Sequence, residues 1–465
     1  MTTPTLAVMG GRVVNDDWSG PATVLIDEGR ILGLVSPATR VARDVRKVDA
    51  SGRLVLPGGV DPHTHIDMSL GDYTTRDGYR EATTAAVWGG TTTVVDFAIP
   101  RPGESPLDAV RLRRAAADQG VCDSALHACV VQWDESVPEQ LRQIADLGVR
   151  TAKLFTTYRD VVMADPRTVL LVMQALRDLG GLAYVHAEAN HLVERDQRAA
   201  EEEGCINAAG HACTRSELAE VTAVREVLST ARSLRAPVYF VHQSTAGAID
   251  EVRRARADGV IAYTETCPHY LTLDDRCYEG ASPELFVCCP PLRSAHTVTG
   301  VVGRAMAREV DTIGSDHCCY DRAQKHSDRS DVRVMPNGMP GVETRLPVIY
   351  TELVQSRGLQ VERFVAVTAA NPARLNGIYP QKGVLAPGSD ADLILIDPEE
   401  RRRVSAADLH MSTDYSPFEG REMTGWASTV IVAGRILLND RIFATDPAAG
   451  RALNAGPIPQ DRLVC

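Results

Sequence analysis

Lysine is nearly absent from this 465-residue chain: among 49 basic residues only Lys47, Lys153, Lys325 and Lys382 are not arginine. Basic charge is also outweighed, since 61 acids leave a net charge of −12 and no electrostatic footprint for nucleic acid or an anionic membrane. No apolar run is as long as a membrane span, and the start, MTTPTLAVMG, lacks a basic region followed by a hydrophobic core. Neither a signal peptide nor a membrane anchor is expected, and the sequence points to the cytoplasm. The 11 cysteines include the adjacent pairs Cys288-Cys289 and Cys318-Cys319 but no CxxC, which excludes a disulfide framework or a zinc finger and favours reduced thiols. A glycine-rich phosphate turn is missing, which argues against an open nucleotide-binding sheet, and there is no tandem repeat or low-complexity tract. What remains, 44% hydrophobic and 24% charged residues, is an ordinary globular composition at a length that predicts a large domain with a companion.

The texture of the chain changes twice. The first 55 residues read as short strands with Gly/Asp turns (LAVMGGRVV, ATVLIDEGRILGLV) and predict a small antiparallel sheet. From about residue 56 short apolar runs such as TTTVVDFAIP, SALHACVVQ, RTAKLFTTY, LAYVHAE, PVYFVHQS, VIAYTETCP and VDTIGSDH alternate with helical periodicities, clearest in LDAVRLRRAAADQG, PEQLRQIADLG, PRTVLLVMQALRDLG, ELAEVTAVREVLSTARSL and TAGAIDEVRRARADG. Such alternation, repeated about eight times, predicts an α/β fold with a (β/α)8 TIM-type barrel over 56–379. Short strands return after 379 in KGVLAPGSDADLILIDP and ASTVIVAGRILLND. The expected architecture is the barrel flanked by a small β-sandwich domain built from both chain ends, 1–55 plus 380–465.

Barrel chemistry sits at the C-terminal ends of the strands. The ionisable residues at or just after apolar runs are His63, His65, Lys153, His186, His242 and Asp316. His63 and His65 are two apart on an extended segment, so both face one side and suit chelation of one metal. Singly, each histidine reads equally well as a hydrogen-bonded core residue, and Asp316 as a turn cap; their coincidence at strand ends favours one pocket. Lys153 sharpens the case. A snorkelling cation there should be arginine in this chain, whereas burial favours a neutral amine, which takes up carbon dioxide to give a carbamate that bridges two cations. A guanidinium cannot do this.

The motifs GGVDPHTHIDM, WGGTTTVVDF, AKLFTTY, YVHAEAN, FVHQS, ETCPHYL, VCCPPLR, GSDHC, PNGMPGVETR and VLAPGSDADLILID together resemble the amidohydrolase superfamily, and within it the hydantoinase/dihydropyrimidinase family, over nearly the whole chain. The resemblance implies one divalent ion held by His63, His65, Asp316 and Lys153 as N6-carboxylysine, and a second held by Lys153, His186 and His242. Zinc is favoured by the histidine ligands, with manganese the alternative. It implies Asp316 as proton shuttle, Tyr158 as the hydrogen-bond donor to the developing oxyanion, and Asn337 and Cys289 as the segments that pair with the imide edge of a ring. Cys289 is a departure, since relatives usually carry serine there.

Met68, Leu70 and Phe155 resemble the apolar wall over the ring substituent. Asp67 stands where the dihydroorotase branch has an arginine for a ring carboxylate, so an anionic ring is disfavoured. Asp67 and Asp72 either admit a polar or cationic substituent or simply face water. The implied reaction opens a neutral cyclic ureide, a 5-substituted hydantoin or a 5,6-dihydropyrimidine, to an N-carbamoyl amino acid. A different cyclic amide, such as allantoin or a cyclic imide, is the enzymatic alternative. A non-catalytic dihydropyrimidinase-like scaffold is disfavoured because all six ligand positions and Tyr158 are present. The expected partners are a small-molecule substrate and further copies of the chain, as a homotetramer by resemblance.

Overall fold

The computed structural model describes residues 3–458 apart from 71, 328–329, 446 and 448–449. Its centre is a ring of parallel strands: β1 (Gly59–His65), β2 (Thr91–Ala98), β3 (Asp123–Cys129), β4 (Thr151–Phe155), β5 (Leu182–His186), β6 (Val238–Phe240), β7 (Ala262–Thr266) and β8, which comes in two pieces, Thr312–Ile313 and His317–Cys318. Each strand pairs in parallel with the next. The first piece of β8 pairs with β7 and the second with β1, the pairing pattern of a TIM-type barrel.

Helices Pro106–Ala117, Val137–Asp146, Pro166–Asp178, Glu217–Leu234 and Ala246–Ala257 lie where the periodicity predicts them. Pro166–Asp178 shows why. Asp165 caps it by accepting from the Thr168 amide, Pro166 presets the first turn, and Val169, Val172, Met173 and Leu176 form one buried stripe. That stripe packs with Leu154 of β4 and Val185 of β5 in the core between barrel and helices.

Both chain ends contribute to two further sheets. Strands Arg12–Val14, Ser19–Pro21 and Leu54–Pro57 join Leu393–Ile396, Ala427–Val432, Arg435–Asn439 and Ile442–Phe443 in one; Leu6–Met9, Thr23–Asp27, Arg30–Val35 and Arg46–Asp49 form the other. The first 55 residues depart from the purely antiparallel sheet expected of them: Leu6–Met9 pairs in parallel with Arg46–Asp49, and Arg12–Val14 with Leu54–Pro57. The alternation of apolar residues fixes which face is buried but says nothing of partner direction. The last described stretch, 450–458, joins neither sheet. Its amides at Gly450, Leu453, Ala455 and Ile458 donate to the carbonyls of Gly120, Ser124, Gly148 and Gly180, at the N-terminal end of the barrel. No helix among the described residues is long and apolar enough to cross a membrane.

The scarce lysines are placed unlike the arginines around them. Lys47 is exposed, whereas Lys153, Lys325 and Lys382 are all fully buried, at 1%, 0% and 1% exposure. Lys382 sits in a cage of carboxylates, 2.6 Å from Asp123, 3.1 Å from Asp390 and 2.6 Å from Asp392, tying β3 to the segment that enters the C-terminal strands. Burial raises the Asp123 and Asp390 carboxyls, but Lys382 and Arg451 outweigh it and hold both below the usual range. The stabilisation they contribute is therefore complete above about pH 4 and is lost as acid titrates them. Lys382→Met strands three acids without their cation and is expected to cost about 3–5 kcal/mol in denaturant unfolding at neutral pH. A loss under about 1 kcal/mol would mean that Arg451 alone neutralises the cage.

Candidate active site

The residues picked out by the sequence converge at one end of the barrel. His63 and His65 project together from β1 with their Nε2 atoms 3.3 Å apart, and Asp316 Oδ1 lies 3.0 Å from His63 Nε2 and 3.3 Å from His65 Nε2. The His242 ring, just beyond β6, is centred 5.4 Å from His63 and 4.5 Å from His186 at the end of β5. One cavity is lined by His65, Lys153, His186, His242, Asp316 and Tyr158.

Placing these groups requires unusual backbone. His242, Asp316 and Tyr158 adopt φ of +37°, +50° and +68°, in the left-handed region that non-glycine residues enter at a cost of about 1–3 kcal/mol each. For Asp316 the cause is visible. The run VDTIGSDH, expected as one strand, is interrupted at Gly314–Ser315–Asp316. A Cβ at Gly314 would come within 2.9 Å of both His63 Cβ and Glu265 Oε2, so only glycine lets this strand pass the histidine. Ser315 then anchors the break, donating from its amide to Asp61 and from its hydroxyl to the His63 carbonyl.

Supporting residues that sequence reasoning missed fix the imidazoles. Fully buried Glu265 accepts from His63 Nδ1 at 2.6 Å, the His242 amide at 2.9 Å and the Tyr239 hydroxyl at 2.7 Å. Glu188 accepts from His186 Nε2 at 2.7 Å and from Arg215 at 2.6 Å; burial raises its carboxyl, but Arg215 and His186 bring it down to about 2. His127 links Thr151 to the Pro62 carbonyl behind the site. Their signal was acids and a histidine inside apolar runs, in ETCPHYL, YVHAEAN and SALHACVVQ.

The tautomers decide what the site can hold. His63 donates from Nδ1 to Glu265, and its Nε2 faces His65 Nε2 and an Asp316 oxygen. Burial and Lys153 lower its pKa, but Glu265 and Asp316 outweigh them and raise it, so without a cation Nε2 shares a proton with Asp316. His186 donates from Nε2, leaving Nδ1 bare. Buried His65 Nδ1 and His242 Nδ1 have no hydrogen-bond partner. Burial drives His65 down to about 4 and His242 well below its ordinary value, so neither supplies a proton to relieve the crowding at neutral pH. A cluster of imidazole nitrogens and a carboxylate around one buried cavity fits a cation.

A second group, Asp77, His317 and Cys319, also brings its ligand atoms within 4.8 Å of one another. It does not fit a metal. His317 Nδ1 accepts from the Gly341 and Val342 amides, so its Nε2 carries the proton donated to Asp77 at 2.7 Å.

Lys153 reaches the cavity from β4 between aromatic rings, its Nζ 4.6 Å from the centre of Phe97 and 5.1 Å from that of Phe155. Burial lowers its amine to about 8, although Asp316 and Glu265 pull the other way. Burial thus shifts the balance toward the neutral amine.

Above it, Tyr158 lies under the Arg215 guanidinium, whose central carbon is 4.7 Å from the centre of the Tyr158 ring. Burial raises the phenol well above its ordinary value, which keeps it a donor. Cys289 Sγ donates to Asn337 Oδ1 at 3.3 Å. Met68 and Phe155 line the cavity, together with Ile99 and Val162, which the sequence did not single out. The side chain of Leu70 lies outside the described residues. Asp67 and Asp72 are exposed and neither lines the cavity. Asp67 follows β1 at φ +45°, which turns its side chain outward while its carbonyl accepts from Arg113.

The sequence model of the amidohydrolase family matches residues 54–437. Dihydropyrimidinase of Rattus norvegicus is 34% identical over 464 residues, covering 98% of this chain and 89% of that one. D-hydantoinase of Geobacillus stearothermophilus is 33% identical over 455 residues, covering 96% of each. The crystal structure of dihydropyrimidinase from Brevibacillus agri superposes with a TM-score of 0.94 at 34% identity, covering 97% of this chain and 99% of that one. The chain therefore belongs to the amidohydrolase family and, within it, to the hydantoinase/dihydropyrimidinase group.

Proposed function

We propose that the protein is a cyclic amidohydrolase that opens a neutral ring ureide, a 5-substituted hydantoin or a 5,6-dihydropyrimidine, to an N-carbamoyl amino acid. The observation that carries this reading is the convergence of His65, Asp316, His186, His242 and Lys153 on one buried cavity, with His63 set directly against His65 and Asp316. His63, His65, Asp316 and carboxylated Lys153 would hold one divalent cation, and Lys153, His186 and His242 a second; zinc suits the imidazoles, and manganese is the alternative. Two such cations supply Lewis acidity toward a ring carbonyl and bring the pKa of a water near neutrality.

The chain's own groups do the rest. Asp316, the carboxylate beside His63 and His65, takes the proton of the attacking water. It passes that proton to the ring nitrogen as the C–N bond breaks and the C–O bond forms. Tyr158 donates to the carbonyl oxygen as charge develops there. The Cys289 and Asn337 segments face the imide edge, while Met68, Ile99, Phe155 and Val162 keep water from the ring substituent.

The barrel, 56–379, is the catalytic domain. The two outer sheets, sharing a core that includes Val8, Val24, Val55, Leu393 and Ile431, are read as the flanking β-sandwich. In keeping with the family resemblance, we take the active form to be a tetramer.

Ring opening of hydantoin, dihydrouracil and dihydroorotate by metal-loaded protein tests the function. Apart from histidines, Lys153 is the one basic side chain among the described residues lining the cavity, so a ring carboxylate finds no counterion. Dihydroorotate is expected to have a kcat/KM at least about 30-fold below the neutral rings, the equivalent of about 2 kcal/mol. Equal values would show that the cavity does not discriminate charge, and no turnover of any ring would overturn the reading.

A further inference from the structure

The remaining buried lysine lies away from the proposed metal ligands. Lys325, in the helix Arg322–Ser327, is wholly enclosed, and its Nζ donates to the carbonyls of Val287 at 2.7 Å and Pro336 at 2.8 Å. These carbonyls belong to separate loops, one two residues before Cys289 and the other directly before Asn337. The loops also meet at the bond from the Gly338 amide to Val287 O, 3.0 Å, and at the thiol contact from Cys289 to Asn337. Val287 O thus accepts from both the opposite loop and the ammonium, and Lys325 closes the bridge from behind. A compact ammonium with three rotatable donors satisfies two carbonyls in a closed slot; the planar guanidinium favoured elsewhere in this chain is larger and aims its donors in a rigid fork.

We infer that Lys325 is a positioning residue for substrate recognition, an ammonium staple that holds the Cys289 and Asn337 loops at the separation a ring's imide edge requires. The inference rests on the reading of those loops as substrate contacts. It assigns Lys325 to affinity and leaves proton transfer to Asp316.

Two measurements on full-length, metal-loaded protein test it. In Lys325→Met, which keeps the chain length and removes every donor, KM for hydantoin is expected to rise at least about tenfold while kcat stays within about threefold. Independently of turnover, alkylation by iodoacetamide, read by peptide mass spectrometry, should accelerate at least about tenfold at Cys289 and stay unchanged at Cys122, a buried thiol at the other end of the barrel. Lys325→Gln, whose amide can still donate to both carbonyls, should fall between wild type and Met, and decides the matter if the Met variant does not fold. Unchanged KM and unchanged Cys289 labelling would overturn the staple. So would an equal acceleration at Cys122, which would mean general loosening. Wild-type protein inactive on every ring ureide would overturn the proposed function instead, leaving the labelling comparison to decide whether Lys325 holds the loops.

Discussion

Replacing Lys153 by arginine is expected to abolish hydrolysis as completely as replacing it by alanine, with kcat/KM falling at least about a thousandfold in both, about 4 kcal/mol of transition-state stabilisation. Charge and length are nearly kept in Lys153→Arg, so a lysine acting through its cation would tolerate the change. The structure argues for a different role. Lys153 is 1% exposed between Phe97 and Phe155, and burial brings its amine to about 8, so roughly one amine in ten is neutral at pH 7 before any cation binds. In the proposed centre the neutral amine would capture carbon dioxide, and the carbamate would supply two oxygens where His65, His186, His242 and Asp316 line the same cavity. A guanidinium stays protonated and cannot be carboxylated. Lys153→Ala leaves space for a small carboxylic acid, so added acetate or propionate with metal should restore part of the activity to Ala and none to Arg. Intact mass under gentle conditions should show one added carbon dioxide on wild type alone. Substantial activity in Lys153→Arg would overturn the carbamate.

Composition alone makes Lys153 stand out, because a chain that nearly always uses arginine marks its lysines as places where arginine fails. Buried Lys382 and Lys325 follow the same logic, yet their partners leave no trace in the sequence. Asp123 is 259 residues from Lys382, and the carbonyl partners of Lys325 carry no side-chain signature. The barrel strands and the five clearest helices were legible because period-2 and period-3.6 patterns are local. Strand direction in the outer sheets was not, nor was the stretch 450–458, which has no periodicity and is held by backbone hydrogen bonds. The break in β8 was hidden for a related reason. Gly314 reads as an ordinary strand glycine until His63 and Glu265 are seen on either side of it. The supporting shell of Glu265, Glu188 and His127 left only the mark of polar residues inside apolar runs, which does not give their roles: a buried acid acquires its meaning from the imidazole it orients, and that neighbour's position is set by the fold. Asp67 shows the converse, a suggestive position in sequence whose backbone turns it toward solvent.

Removal of metal is expected to abolish activity and also to lower the unfolding temperature, and the second effect follows from the donor arrangement. With no cation, His63 Nε2, His65 Nε2 and Asp316 Oδ1 crowd within 3.3 Å of one another around one shared proton, and the buried His242 Nδ1 goes unpaired. Neither deficit exists in the unfolded chain, where water satisfies every nitrogen, so the folded state alone gains from binding. At metal concentrations about a thousandfold above the dissociation constant that linkage contributes about 4 kcal/mol per site. Chelation followed by dialysis should therefore give a protein that unfolds several degrees earlier. About two equivalents of zinc or manganese should restore both temperature and turnover, with both titrations breaking at the same ratio. A single equivalent sufficing for both would reduce the centre to His63, His65 and Asp316 and remove the need for a bridging carbamate. Full turnover after verified removal would overturn the metal centre altogether. A stability gain without turnover at two equivalents would place the failure in Lys153, whose carboxylation needs carbon dioxide as well as the cations, and added bicarbonate should then complete the recovery.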